Sequence, residues 1–280
     1  MSKILFVYDM PLDKEPFWKD GLWAAIKELE KEHDVWWENL QAENSMYVED
    51  GWDFILGWGA FNSPVDRELR KSIYRNNKKG LCLAGNSYPP VGANNYDIIF
   101  YETEWAKNWL LTHPDFSGRQ LMHAFGVNTG IYYQTYNPEP LFDCVSVGSF
   151  SLWKRQNLIL NRPGGFKIVI GEIQKGNLTE SIDIIGELLL GGVSVSDMIA
   201  PERLADVYRN TIEVYIPANL NGGGERAVLE ARACGASVAV EYDNPKLAEL
   251  MECPVWDHHY YANQLKKGIE ECLKDTNIKG

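Results

Sequence analysis

Two α/β domains of Rossmann type, each a parallel sheet flanked by helices, are predicted by three observations. The chain has 280 residues, which suits two units of roughly 100 to 150 residues. Short apolar runs alternate with segments of helical period, the pattern of parallel strands joined by crossover helices. That alternation lapses over residues 114–140, where Gly118, Gly126, Gly130, Pro138 and Pro140 cluster, and then starts again.

Residues 3–8 are a compact apolar run of the kind that forms a strand buried on both faces, and residues 21–31 place Leu22, Ile26 and Leu29 on one helical stripe. Further strands are expected at 34–38, 53–57, 80–84 and 97–101, with helices at 64–76 and 104–111. A linker is expected near 133–141, which gives an N-terminal domain over 1–135 and a C-terminal domain over 136–260. In the second half the expected order is strand 143–147, helix 154–161, strand 167–171, helix 178–189, strand 192–196, helix 201–209, strand 213–217, helix 226–235 and strand 237–241. A last helix at 261–274, within a segment 261–280, is expected to cap the first domain.

A content of 45% hydrophobic and 24% charged residues provides apolar side chains for a buried core. The formal charge of −12 repels polyanions, so no extensive nucleic-acid surface is expected, while a local phosphate pocket stays open. Cys82, Cys144, Cys234, Cys253 and Cys272 are odd in number and contain no CxxC pair, which suits reduced thiols better than disulfides or a zinc site. The first apolar run is too short for a signal-peptide core, and no stretch reaches the roughly 18 apolar residues of a membrane span, so a cytoplasmic protein is expected. Arg67, Arg70, Lys71, Arg75, Lys78 and Lys79 form a basic run. It reads as a solvated helix face or as peripheral contact with anionic lipid or acceptor.

The chemistry concentrates between Tyr215 and Val240, which read as strand, glycine-rich loop, helix, glycine stop and strand. Gly222, Gly223 and Gly224 let the backbone turn sharply and approach a ligand, and the helix that follows offers free N–H groups and a positive dipole end to phosphate. Glu230 lies about one and a half turns into that helix, within reach of ribose hydroxyls of a nucleotide whose phosphates sit at the helix start. Glu225 is either a sugar contact or a first-turn acid that complements the dipole.

The run Gly222 to Val238 resembles the donor-site motif of the retaining GT-B enzymes of glycosyltransferase family four. Residues 200–218 are similar to the helix and strand before that motif. Phe125-Gly-Val-Asn-Thr-Gly resembles the family's segment at the domain junction, and Val145 to Arg155 resembles its first C-terminal strand with a phosphate-binding lysine. The resemblance covers roughly residues 121–241. It implies a GT-B fold, two Rossmann-like domains facing a cleft in which a nucleotide-sugar donor meets an acceptor. It also implies that Lys154 holds the donor diphosphate and that Glu230 binds the ribose; the alternative for Lys154 is a surface lysine at a helix start.

Two positions depart from the family pattern. The glutamate usually found eight residues before Glu230 is Gly222, and the arginine five residues before the lysine is Ser149. Glu225 is the candidate to reach the sugar in the missing glutamate's place, and Arg155 or Arg226 to reach the phosphates. In the N-terminal half the family's histidine has no clear counterpart; Asn86 or Ser87 is the nearest polar group. His123 is the candidate catalytic histidine, or else a satisfied, partly buried side chain. Trp18, Trp23, Trp36, Trp37, Trp52 and Trp58 supply indoles for sugar stacking or for core packing.

The expected function is transfer of a sugar from a UDP- or GDP-type nucleotide sugar to a saccharide or other small acceptor, with retention. No cofactor and no metal are expected, since the resemblance implies that a lysine and the helix dipole neutralise the leaving group. The rival readings are a catalytically weak or inactive nucleotide-sugar-binding protein, another enzyme of the same fold such as an epimerase, and a dinucleotide oxidoreductase. The last is disfavoured because Asp9-Met-Pro-Leu-Asp follows the first strand instead of a G-x-G-x-x-G turn.

Overall fold

The computed structural model describes residues 1–42, 51–84, 92–114, 116–117, 119–135 and 139–274. The chain forms two compact units, Met1–Gly126 with Asp257–Gly280, and Val127–Trp256.

In the first unit, β1 (Lys3–Tyr8), α1 (Gly21–Leu29), β2 (Asp34–Asn39), β3 (Phe54–Gly59), α2 (Pro64–Leu69), β4 (Lys78–Leu83), β5 (Ile98–Tyr101), α3 (Glu104–Thr112) and β6 (Gln120–His123) follow one another. The six strands are parallel in the order β2-β1-β3-β4-β5-β6. Helices α1, α2 and α3 begin on side-chain caps: Asp20, Ser63 and Thr103 accept the N–H groups of Trp23, Asp66 and Ala106 at 2.9, 3.2 and 3.2 Å. Leu5, Val7, Ile55, Leu81 and Ile99 from the sheet pack on Val65, Leu69 and Leu110 from the helices. The helix expected over 64–76 ends at Leu69, and a 3₁₀ turn at Ser72–Tyr74 instead carries Tyr74 into the core at 3% exposure. Strand β6 has no counterpart in the sequence reading, because Gln120-Leu-Met-His is short, only partly buried and lies at the sheet edge.

The second unit contains β7 (Phe142–Val147), β8 (Lys167–Ile170), α4 (Leu178–Leu190), β9 (Ser194–Ser196), α5 (Pro201–Arg209), β10 (Thr211–Ile216), α6 (Glu225–Ala233), β11 (Ser237–Val240) and α7 (Pro245–Glu252). Its parallel sheet runs β11-β10-β7-β8-β9, over a core of Cys144, Phe150, Ile159, Val169, Ile184, Leu188 and Tyr215. The expected helix at 154–161 is a 3₁₀ helix over Gln156–Asn161, since Arg155 sits in the left-handed region at φ 51° and breaks α-helical continuity.

The unit boundary falls at Gly126, earlier than residue 135. Val127 N–H donates to the Trp256 carbonyl at 2.9 Å, and Arg209 donates to the carbonyls of Tyr133 at 2.9 Å and Ile131 at 2.5 Å, so residues 127–133 are tied to the second unit. The chain then returns to the first unit, where α8 (His258–Lys274) packs on α1. Each unit thus has the Rossmann-like architecture predicted. All five cysteines are free thiols. Among the described residues no helix is long and apolar enough to cross a membrane.

Candidate nucleotide site

In the second sheet the chain runs outward from β7 through β8 to β9, then restarts on the other side of β7 with β10 and β11. The crevice beyond the carboxyl ends of β7 and β10 is therefore a topological switch point, where open α/β sheets bind ligands. Two loops leave those strand ends: 148–155 after β7, and 217–224 after β10. They are joined directly, Asn219 N–H donating to the Trp153 carbonyl at 2.9 Å. Gln156, 1% exposed, holds the first loop by donating to the carbonyls of Gly148 and Ser149 at 2.8 and 2.9 Å. Asn244, fully buried, holds the second by donating to the carbonyls of Ala218 and Asn219 at 3.0 and 2.9 Å.

The three loop glycines serve different needs. Gly223 and Gly224 have φ of 66° and 111°, in the left-handed region that favours glycine. Gly222 lies so close to the Trp153 carbonyl and the Ala218 methyl that no side chain fits. The Lys154 side chain packs on Gly148, and its Nζ is 3.5 Å from where a Cβ would stand on either Gly148 or Gly223. The amine thus lies between the two loops, beside the approach to α6. Part of Lys154 still reaches solvent, but burial of the amine lowers its pKa to about 8, reinforced by Arg226 and Lys246 and opposed by Glu225.

Beneath this amine, Glu225 Oε1 pairs with Lys246 Nζ at 2.5 Å, the side chains being 7% and 3% exposed. Burial pushes the Glu225 carboxyl up, yet Lys246, a bond to its own backbone N–H and Lys154 together hold it below the usual carboxylate range. Glu225 is therefore a buried carboxylate on the helix start. Lys246 escaped the sequence reading because its helix, α7, was not expected; Asn244-Pro245, a turn residue before a helix-starting proline, is the signal that could have revealed it.

Glu230 is on α6 and 8% exposed, and its charge acts on the buried Tyr208 hydroxyl. Arg226 lies exposed at the helix start. Arg155 is engaged by other partners: it grips Asp243 through two bonds of 2.7 Å and donates to the Pro217 carbonyl at 2.7 Å. Ser149 accepts from Gln174 at 3.1 Å. His123 belongs to the first unit, at the carboxyl end of β6, where its Nδ1 is 3.0 Å from the Tyr260 hydroxyl. Burial lowers its pKa despite a backbone bond at Glu102 and the nearby Glu104 charge.

Asn86 and Ser87 lie outside the described residues. Of the indoles, Trp18 is buried among Phe6, Tyr8 and Trp37 and stacks on Trp58 with centroids 5.2 Å apart. The basic run is largely neutralised: Arg70, Lys71 and Lys78 pair with Asp66, Glu68 and Asp97, while Arg67 and the buried Lys79 donate to backbone carbonyls.

No protein-family model matches the chain, and no curated protein sequence matches it. Solved structures do. Sucrose-phosphate synthase from Thermosynechococcus elongatus superposes with a TM-score of 0.65 at 13% identity, over 98% of this chain and 94% of that one. Anabaena HepE in complex with UDP-glucose gives 0.66 at 14%, over 99% and 91%. AviGT4, a glycosyltransferase involved in avilamycin A biosynthesis, gives 0.63 at 12%, over 98% and 99%. The fold is that of the GT-B glycosyltransferases.

Proposed function

We propose that the chain is a glycosyltransferase that takes a sugar from a nucleoside diphosphate sugar, of UDP or GDP type, and transfers it to a saccharide or other small acceptor with retention and without a metal. The observation that carries this reading is the position of the Lys154 amine between Gly148 and Gly223, beside the N-terminus of α6 at the switch point. A diphosphate seated there meets a cation and a helix dipole, and both gain strength as negative charge grows on the leaving nucleotide. Glu230, further along α6, is assigned to the ribose and Arg226 to the phosphates. Glu225 acts through its charge, and His123 is assigned to the acceptor side.

The structures with UDP-glucose bound, HepE among them, support a nucleotide-sugar donor. Calorimetric titration with UDP, GDP and ADP, on wild type, Lys154→Ala and Glu230→Ala, tests the reading. One nucleotide should bind, and each substitution should weaken it by about tenfold or more. Sugar release from the matching donor should accompany binding. Absence of nucleoside diphosphate binding, or indifference to both substitutions, overturns it.

A further inference from the structure

The geometry points to Lys246 as a positioning residue of the anion site: by holding the buried Glu225 carboxylate, it keeps that carboxylate from occupying the Lys154 amine and so leaves Lys154 to the ligand. This inference rests on the function proposed above and adds a residue to it that does not touch the ligand.

Three charged side chains meet at the start of α6. Glu225 Oε1 faces Lys246 at 2.5 Å, with both residues almost wholly out of solvent. The other oxygen, Oε2, lies 3.3 Å from the place of a Gly223 Cβ, and Lys154 Nζ lies 3.5 Å from that same place. One carboxylate oxygen thus meets an amine from α7, while the other oxygen and the amine from the β7 loop border the same place at Gly223. A lone carboxylate in such surroundings turns to the nearest cation, because its water has been removed. With Lys246 present, one lysine answers Glu225 and the other is left over for an incoming anion. Without Lys246, Glu225 and Lys154 would satisfy each other, and a diphosphate would have to break that pair. The fold holds Lys246 in place from nearby, since Asn244, two residues earlier, is fully buried and bonded to the very loop that carries the glycines.

The groups that face Lys154 are Glu225 and Arg226 from α6 and Lys246 from α7, so four proteins separate their effects: wild type, Lys246→Met, Glu225→Gln and the double variant. UDP, GDP and ADP binding is measured by calorimetry, and the titration of the Lys154 amine by NMR of reductively ¹³C-methylated lysines. Lys246→Met should bind the preferred nucleotide about tenfold or more weakly, and Lys154 should titrate at higher pH than in wild type. The double variant, which leaves no carboxylate at position 225 to turn toward Lys154, should recover both properties toward wild type, and it serves in place of Lys246→Met should that single variant fail to fold.

A Lys154 titration still raised in the double variant means that Lys246 acts only by repulsion, and overturns the inference. Lys246→Met binding as wild type overturns it too, and so does a double variant as weak as Lys246→Met, which would make Lys246 a direct ligand contact. Failure of the proposed function shows differently: no nucleotide binds wild type, while the NMR titrations still decide whether Lys246 governs the Glu225–Lys154 contact.

Discussion

The backbone carbonyl of Trp153 occupies the space that a side chain on Gly222 would need, and the Ala218 methyl closes it from another direction at 2.9 Å. Glycine at this position is therefore what the packing of the two loops requires. Gly222→Ala must push the loops apart and strain the Asn219 to Trp153 hydrogen bond. Overpacking of this kind costs about 1–3 kcal/mol. Denaturant unfolding of Gly222→Ala should show a lower midpoint, and nucleotide binding should weaken with it. A midpoint equal to wild type would mean that the loops are not joined in solution.

That glycine shows how far the sequence could be read. Strand, loop and helix around residues 211–233 were legible because glycines needing positive φ and a helix start leave a strong local pattern, and Lys154 was found through its resemblance to a family motif. The reason for Gly222 was not legible, because the atom that excludes a side chain belongs to Trp153, far away in sequence. Lys246 was missed for a similar reason: α7 is only eight residues long, and the partner that makes its lysine informative is Glu225 on another helix. The short edge strand β6 left too little alternation to be seen. In Arg155 the residue type suggested phosphate, whereas its guanidinium serves Asp243 and Pro217.

The lowered pKa of Lys154 gives two pH effects. An unfolded lysine keeps its proton to about pH 10.4, whereas folded Lys154 releases it at about 8. Between those values the unfolded state binds more protons, so this residue's contribution to stability rises with pH across that window, and below it the buried charge is fully destabilising. Lys154→Met should therefore be more stable than wild type at neutral pH and lose that advantage as pH rises through the window. Affinity for a nucleoside diphosphate should run the other way, constant below the free amine's pKa and falling above it, with Lys154→Arg abolishing the fall. Calorimetry at a series of pH values checks this; a fall that persists in Lys154→Arg assigns it to another group.

Arg155 combines an exposed ion pair with a backbone bond, and the two should separate by mutation. Asp243 is 58% exposed in that pair, so Asp243→Asn should cost under about 1 kcal/mol and its effect should vanish in high salt. Arg155→Ala also leaves the Pro217 carbonyl without its 2.7 Å partner, which adds about 1 kcal/mol that salt does not remove. Denaturation of both variants at low and high ionic strength checks the split. Equal losses would show that the carbonyl bond contributes nothing.

Trp18 and Trp58 stack nearly parallel, at 17°, but their surroundings differ. Trp18 is 6% exposed and also touches Phe6, Tyr8 and Trp37. Trp58 begins the partly exposed end of β3 and has Trp18 as its stacking partner. Removing a buried indole takes away both its apolar contacts and the support of its neighbours, at a cost of about 3–5 kcal/mol. Trp18→Ala should therefore destabilise the protein by about that much, while Trp58→Ala should cost under about 2 kcal/mol and leave a folded chain. A stable Trp58→Ala protein makes that indole available for tests of acceptor stacking without loss of the fold. Losses of equal size at the two positions would place Trp58 in the core and remove it as a candidate sugar platform.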